Sequence, residues 1–182
     1  MVPWLLETAR EFAQNTDIVV KAGYDSVSAG ITPTKEAVRE FLAVAGDAAI
    51  GGVTTMATAV DGITSVVNAY GPEMITATDA ADSFFAAIKA GKTTFAELAQ
   101  NIAYVTPTSA SIGIKFSEVA GAMAAITKQG VATSRAARPV NAMFAQLDDR
   151  GSEVAQTFRR LSGKHFATLS SRAAMFRVLL IC

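Results

Sequence analysis

The chain has 182 residues, which against a prior of about 150 per domain points to one domain with at most an appendage. Its 16 basic and 16 acidic residues cancel, so no global field draws it to nucleic acid or to an anionic membrane. With 51% hydrophobic and 18% charged residues it is too apolar for a disordered chain and can bury a core.

At the N-terminus the stretch MVPWLLETAREF has no basic n-region and is interrupted by Glu7, Arg10 and Glu11, unlike a signal peptide. Beyond it, glycines punctuate the chain at Gly30, Gly52, Gly71, Gly91, Gly113, Gly130, Gly151 and Gly163. Most of these intervals suit one helix of three to four turns plus a short connection. Each glycine is expected to supply the left-handed residue that ends the helix before it. Thr32 and Pro33 read as the cap and first residue of a helix whose apolar positions are Val38, Phe41, Leu42 and Ala45. The mild run Phe41 to Val60 contains Asp47 and many small residues, so it lacks the ~18 consecutive apolar residues of a membrane span.

The same helical spacing continues through Met56, Ile63, Val66, Val67 and Tyr70, and then through Ala81, Phe84, Phe85 and Ile88. Thr94 followed three places later by Glu97 is a capping box. Pro107 disfavours helix just before it, so the helix from Thr94 either stops there or kinks and continues toward Gly113, and a kink is the favoured expectation. The segment TFAELA at Thr94 recurs 21 residues later as KFSEVA at Lys115. Phe95 aligns with Phe116, Glu97 with Glu118, Leu98 with Val119, Ala99 with Ala120, Ile102 with Met123 and Thr106 with Thr127. Chance likeness of two Ala-rich helices and a true repeat of stacked helix pairs both fit this match. Pro139 falls inside the pattern Ala137, Val140, Met143, Phe144, Leu147, where it either kinks a helix or opens one.

No segment alternates like a strand, and glycines every ~20 residues break any long heptad register. The fold class is therefore all-α: an antiparallel multi-helix bundle or a short helical array with glycine-terminated helices.

Chemistry is sparse. His165 is the only histidine, and a catalytic reading would pair it with Ser162 or Ser170 in a geometry the sequence does not fix. Cys182 is the only cysteine, which excludes an intrachain disulfide and a cysteine zinc site. The carboxylates are scattered: Asp148 and Asp149 read as a solvated turn beside Arg150, and Asp79, on one face with Asp82, as favourable charge near a helix start. Gly51 and Gly52 lead into Val-Thr-Thr, which is no phosphate loop. Arg135, Arg138, Arg159, Arg160 and Lys164 cluster late in the chain but are interleaved with Asp148, Asp149 and Glu153, as on a solvated helix face. Phe84, Phe85, Phe95, Phe116, Phe144, Phe158 and Phe166 are most simply core, although part of that surface could face identical neighbours. No catalytic, cofactor-binding or metal-ligating residue is assigned.

From Thr94 onward, the run FAELAQNIAYVTPTSASIGIKFSEVAGAMAAITKQGVATSRAARPVNAMFAQL resembles the core region of phage tail tape measure proteins. In that family a Phe-x-Glu-Leu-like helix runs through a Val-x-Pro element to a Gly, a second helix ends in an Ala-x-Thr-x-x-Gly turn, and an Ala-rich third helix follows. The matching residues are Glu97, Val105, Pro107, Gly113, Phe116, Glu118, Ala125, Thr127 and Gly130. The later LSGKHF and the upstream ATAVDGITSVVNAYG are similar to the same region, so the resemblance covers most of residues 10 to 169. It implies a virion tail component of a tailed phage or prophage, assembled in the host cytoplasm. The implied partners are copies of itself, tail tube protein and tail assembly chaperones. Glu97, Pro107, Gly113, Glu118 and Gly130 are then structural landmarks.

The chain departs from that family in length. Even one continuous helix of 182 residues would span only ~270 Å, too short for the ruler of a long tail. Residues 1–169 are expected to form the core-like helical domain. Residues 170–182, with the apolar end RAAMFRVLLIC, resemble a truncated or frame-shifted end. Lys115 and Pro139 stand where a cap and an ordinary helix residue are expected. The expected role is that of a tape measure core fragment without catalysis, stable nucleic-acid binding or evident membrane contact. The alternative is a stand-alone helical module that binds a partner on its Phe and Met faces.

Overall fold

The structure, a computed structural model, describes residues 3–12, 15–149 and 151–162, which form ten α-helices and no strand. They are α1 (Pro3–Glu11), α2 (Thr16–Ser28), α3 (Lys35–Gly51), α4 (Met56–Tyr70), α5 (Ala77–Ala90), α6 (Phe95–Ile102), α7 (Thr106–Ser111), α8 (Phe116–Lys128), α9 (Thr133–Asp148) and α10 (Glu153–Ser162). The all-α helical array expected from the apolar spacing is what the chain builds. His165, Ser170, Lys164, Phe166 and the tail 170–182 lie outside the described residues.

Threonine starts four successive helices. The side chains of Thr34, Thr55, Thr76 and Thr94 accept from the backbone N–H of Ala37, Thr58, Asp79 and Glu97 at 3.3, 3.1, 3.0 and 3.2 Å. Each satisfies a donor that the first helical turn leaves unpaired. The start of α3 is two residues later than Thr32 and Pro33 imply. Thr34, extended at ψ 151°, is the cap, and Pro33 stays outside the helix.

At Pro107 the expected kink is replaced by a stop. Helix α6 ends at Ile102, and Pro107 sits in the first turn of the separate helix α7, where its missing N–H costs nothing. Helix α9 resolves the second proline the other way. It starts six residues before Pro139, which lies inside it, so the Arg135 carbonyl has no N–H to accept from at that position.

The repeat is real in burial and partial in backbone. Phe95, Leu98, Ala99, Ile102 and Thr106 are all buried, as are their counterparts Phe116, Val119, Ala120, Met123 and Thr127. Helix α8 runs unbroken through Thr127, whereas Thr106 already belongs to α7. Both repeat phenylalanines converge on Phe84 of α5, with ring centroids 4.7 Å away for Phe95 and 5.3 Å for Phe116. Of the named phenylalanines, Phe84, Phe95, Phe116, Phe144 and Phe158 are buried and Phe85 is half-buried, so they are core.

Glycine plays two roles. Gly30, Gly71, Gly113 and Gly130 have positive φ, as expected of helix ends. Gly52 and Gly91 do not: φ is −85° at Gly52 and −108° at Gly91. They are glycine because other atoms sit where a Cβ would be. At Gly91 that Cβ would lie 2.6 Å from Thr127 Oγ1 and 2.8 Å from the Ala124 Cα. Gly62 likewise has the Ala99 Cβ 2.7 Å from the place of its own.

These contacts fix the packing. Phe84 lies beside Phe116 and Gly91 beside Ala124, so α5 and α8 run side by side and parallel. Helices α6 and α7 return the chain between them, and α4 lies against α6 through Gly62 and Ala99. Among the described residues no single helix is long and apolar enough to cross a membrane. Helices α3 and α4 together have the length and composition, but they bend by 120° at their junction and bury Leu42, Ala45, Ile63 and Val66 in the core.

Candidate functional site

The residues that could carry chemistry do not converge. Ser162 closes α10, while its proposed partner His165 lies outside the described residues. Among the described residues no three His, Cys, Asp or Glu side chains approach closely enough to hold a metal ion. Asp149 accepts from the Gly151 N–H at 2.9 Å, the solvated turn expected there. Arg135, Arg138, Arg159 and Arg160 are exposed, as expected of a solvated face. Gly52 faces the Phe95 side chain, in no position to cradle a phosphate.

Glu97, Glu118 and Gly113 act at the ends and joints of helices. Glu97 Oε2 accepts from the Thr94 N–H at 3.2 Å, completing the capping box, and from Thr133 Oγ1 at 3.1 Å. Thr133 is the first residue of α9, and its hydroxyl is also 2.8 Å from that of Thr93. One carboxylate thus ties the start of α6 to the start of α9. Glu118 accepts from the Lys115 N–H at 3.1 Å, while the lysine side chain has no acceptor to return to the helix. This is half a capping box, which accounts for the oddity of lysine there. Gly113 has φ 75°, and the next residue, Ile114, donates to the Ser109 carbonyl at 2.9 Å, so α7 ends in a Schellman-type turn.

Two features were not legible in the sequence. Tyr70 of α4 and Ser109 of α7 share a hydrogen bond of 2.8 Å, 39 residues apart in the chain. Burial pushes the Tyr70 hydroxyl up to about 12, and Phe116 meets its ring edge-on at 6.1 Å. The second is a groove of about 1000 Å³ along α5 and α8. It is headed by Tyr70, Met74, Asp79 and Asp82 and floored by alanines and Gly121. Asp79 is also the reciprocal member of the Thr76 capping box, as its place near a helix start implied. A groove arises from two helices apart in sequence, and only the shared face of Asp79 and Asp82 hinted at it.

Taken together, the described residues define an all-α protein in which polar side chains cap and join helices. Residues 6–179 match the family of phage-related minor tail proteins, and the chain belongs to that family. It is thus similar over nearly its whole length to structural components of phage tails. No curated protein and no solved structure matches it.

Proposed function

We propose that the chain is a tape measure core fragment, with residues 1–169 as its helical core and 170–182 as an apolar tail. The observation that carries this reading is the order of parts between Thr94 and Asp148. A capped helix is followed by a proline-opened turn, Gly113, a second Glu-capped helix, Gly130 and an Ala-rich third helix. That order lies inside the match to phage-related minor tail proteins over residues 6–179, and it supports the reading because the tape measure proteins that the sequence resembles have the same sequence of parts. The fragment works by packing against copies of itself and against tail tube or tail assembly chaperone proteins. It assembles in the host cytoplasm, resides in the virion tail and performs no catalysis.

Its contribution to length is small. The longest described helix, α3, has 17 residues and spans only about 26 Å at 1.5 Å per residue. A folded module of this kind is a packing unit within the tail, while length determination belongs to long helical sequence. Light scattering after size-exclusion chromatography, followed by pull-down with tail tube and chaperone proteins, tests the proposal. A concentration-dependent helical oligomer retained by either partner supports it. A compact monomer that captures neither overturns it, and leaves the stand-alone binding module as the better reading.

A further inference from the structure

We propose that α5 and α8 form the face through which two copies of this chain pair. The copies run antiparallel about a twofold axis near Ala86, and α5 of each copy sits in the groove between α5 and α8 of the other. This names the surface for the self-packing proposed above, and it rests on that reading only there. At about 1000 Å³ the groove is some five times larger than the cleft of about 200 Å³ beside α3. Ala86 and Ala90 on α5, with Gly121 and Ala125 on α8, give it an exposed floor of small residues. Small side chains at a contact let helix axes come to the near end of the usual ~8–10 Å. A Cβ on Gly121 would meet nothing within 4 Å, so room remains above it.

Charge selects a second copy as the occupant. Because α5 and α8 are parallel, both helix starts lie at one end of the face and both helix ends at the other. Asp79 and Asp82 stand near the start of α5, Lys89 near its end and Lys92 just beyond it, all exposed. Lys128, the last residue of α8, adds to the basic end. Lys115 at the start of α8 offsets one of the two aspartates and leaves that end negative. The only ion pair among the described residues is Lys21–Asp25, so none of these charges is paired within the chain. A face that is acidic at one end and basic at the other complements its own copy turned end for end. Along α5, Asp82 lies four residues before Ala86 and Lys89 three after it, while Asp79 lies seven before and Lys92 six after. An antiparallel copy centred there brings Asp82 opposite Lys89 and Asp79 toward Lys92, and the symmetry forms each pair twice. With a net charge of zero, the two copies have no overall repulsion to overcome.

The exposed apolar stripe on α2, formed by Val20, Tyr24 and Val27, is the rival surface for a copy. Its neighbouring charges, Lys21 and Asp25, already meet at 2.7 Å within the chain. That stripe therefore carries no separated charges to orient a second copy.

Light scattering and sedimentation of the full chain should show a dimer that weakens as salt is raised. Asp82→Lys alone and Lys89→Glu alone should each raise the dimer dissociation constant about tenfold, because like charges then face each other twice. Mixing the two variants, or placing both changes in one chain, should restore pairing, with far-UV circular dichroism unchanged throughout. A change that merely disturbed the fold would not be rescued in this way. With Cys182→Ser removing the native thiol, Ala86→Cys should cross-link to its own copy across the axis under mild oxidation, and Tyr24→Cys should not. A dimer that ignores the charge reversals, or that cross-links at Tyr24→Cys and not at Ala86→Cys, overturns this face and leaves the tail-component reading standing. A monomer that still captures tail tube or chaperone protein does the same. A chain that neither self-associates nor captures those proteins overturns both.

Discussion

At the residue scale, one backbone conformation stands out. Val53 has φ 48° and is 93% exposed, the only non-glycine residue with positive φ among the described ones. Gly52 precedes it, but the turn after α3 places its left-handed residue one position later. Thr54 donates to the Ala49 carbonyl at 2.9 Å across that residue. A β-branched residue in the left-handed region costs ~1–2 kcal/mol, and Val53 buries nothing to offset it. Val53→Gly should therefore stabilise the fold by about 1 kcal/mol, read as a higher urea midpoint at unchanged slope. An unchanged midpoint would mean that the strain is relieved elsewhere.

Two glycines give the same substitution opposite signs. Gly121→Ala puts a methyl into open space within α8 and should gain about 0.5–1 kcal/mol from helix propensity. Gly91→Ala drives a methyl to 2.8 Å from the Ala124 Cα, which is backbone and cannot swing away, and should lose at least ~1 kcal/mol through overpacking. Thermal melts of the two variants side by side check the contrast. The spacing of these glycines is legible in the sequence and their reasons are not. Left-handed geometry is a local property that a helix-ending pattern predicts, and it holds at Gly30 and Gly130. Close approach at Gly91 is made by a helix that begins 25 residues later at Phe116, and no local pattern announces it.

At the element scale, the helices were readable because each carries its own instructions. Apolar positions three and four apart mark α3 through α5 and the Thr94 capping box marks α6, and the expected core positions Val38, Phe41, Leu42, Met56, Ile63 and Phe84 are buried. What failed was the choice between a kink and a stop at Pro107. Val105 and Thr106 are fully buried, so tertiary packing decides the backbone there, beyond what the proline alone dictates. Helix α8 supplies a direct test of capping. Its N-cap Lys115 is extended at ψ 146° and lacks a side-chain acceptor, although Glu118 already fulfils the other half of the box. Lys115→Ser should complete it and add about 0.5–1 kcal/mol, the ordinary worth of a serine cap. Coupling can be measured with Glu118→Gln in a double-mutant cycle, where additivity would show that the two halves act separately.

At the scale of the whole molecule, the sequence order of helices is folded back so that distant segments meet at a few side chains. Phe84 receives the phenylalanines of both repeat copies, Glu97 links α6 to α9, and Tyr70 links α4 to α7. The capping box and the internal repeat located Glu97 and Phe116, since both are local patterns. Tyr70 and Ser109 escaped notice, because tyrosine and serine carry no pairing code across 39 residues.

Burial of the Tyr70 hydroxyl makes the assembled fold sensitive to alkaline pH, and its bond to Ser109 only moderates the effect. Burial raises the Tyr70 pKa from 10.0 to about 12, so between those values the unfolded chain ionises while the folded one resists. The folded state then binds more protons than the unfolded state, and stability falls as pH rises. The contribution is complete below pH 10 and is lost as pH climbs through about 12. Tyr70→Phe removes the titrating group and should flatten that part of the stability profile. Near neutral pH the substitution should cost only about 0.5–1.5 kcal/mol, since Ser109 keeps its bonds to the Val105 and Thr106 carbonyls at 3.0 and 3.1 Å. Urea midpoints measured across the alkaline range for both proteins make the comparison. Parallel profiles would show that Tyr70 ionises as freely in the folded chain as in the unfolded one, and that the junction of α4 with α7 is open to water.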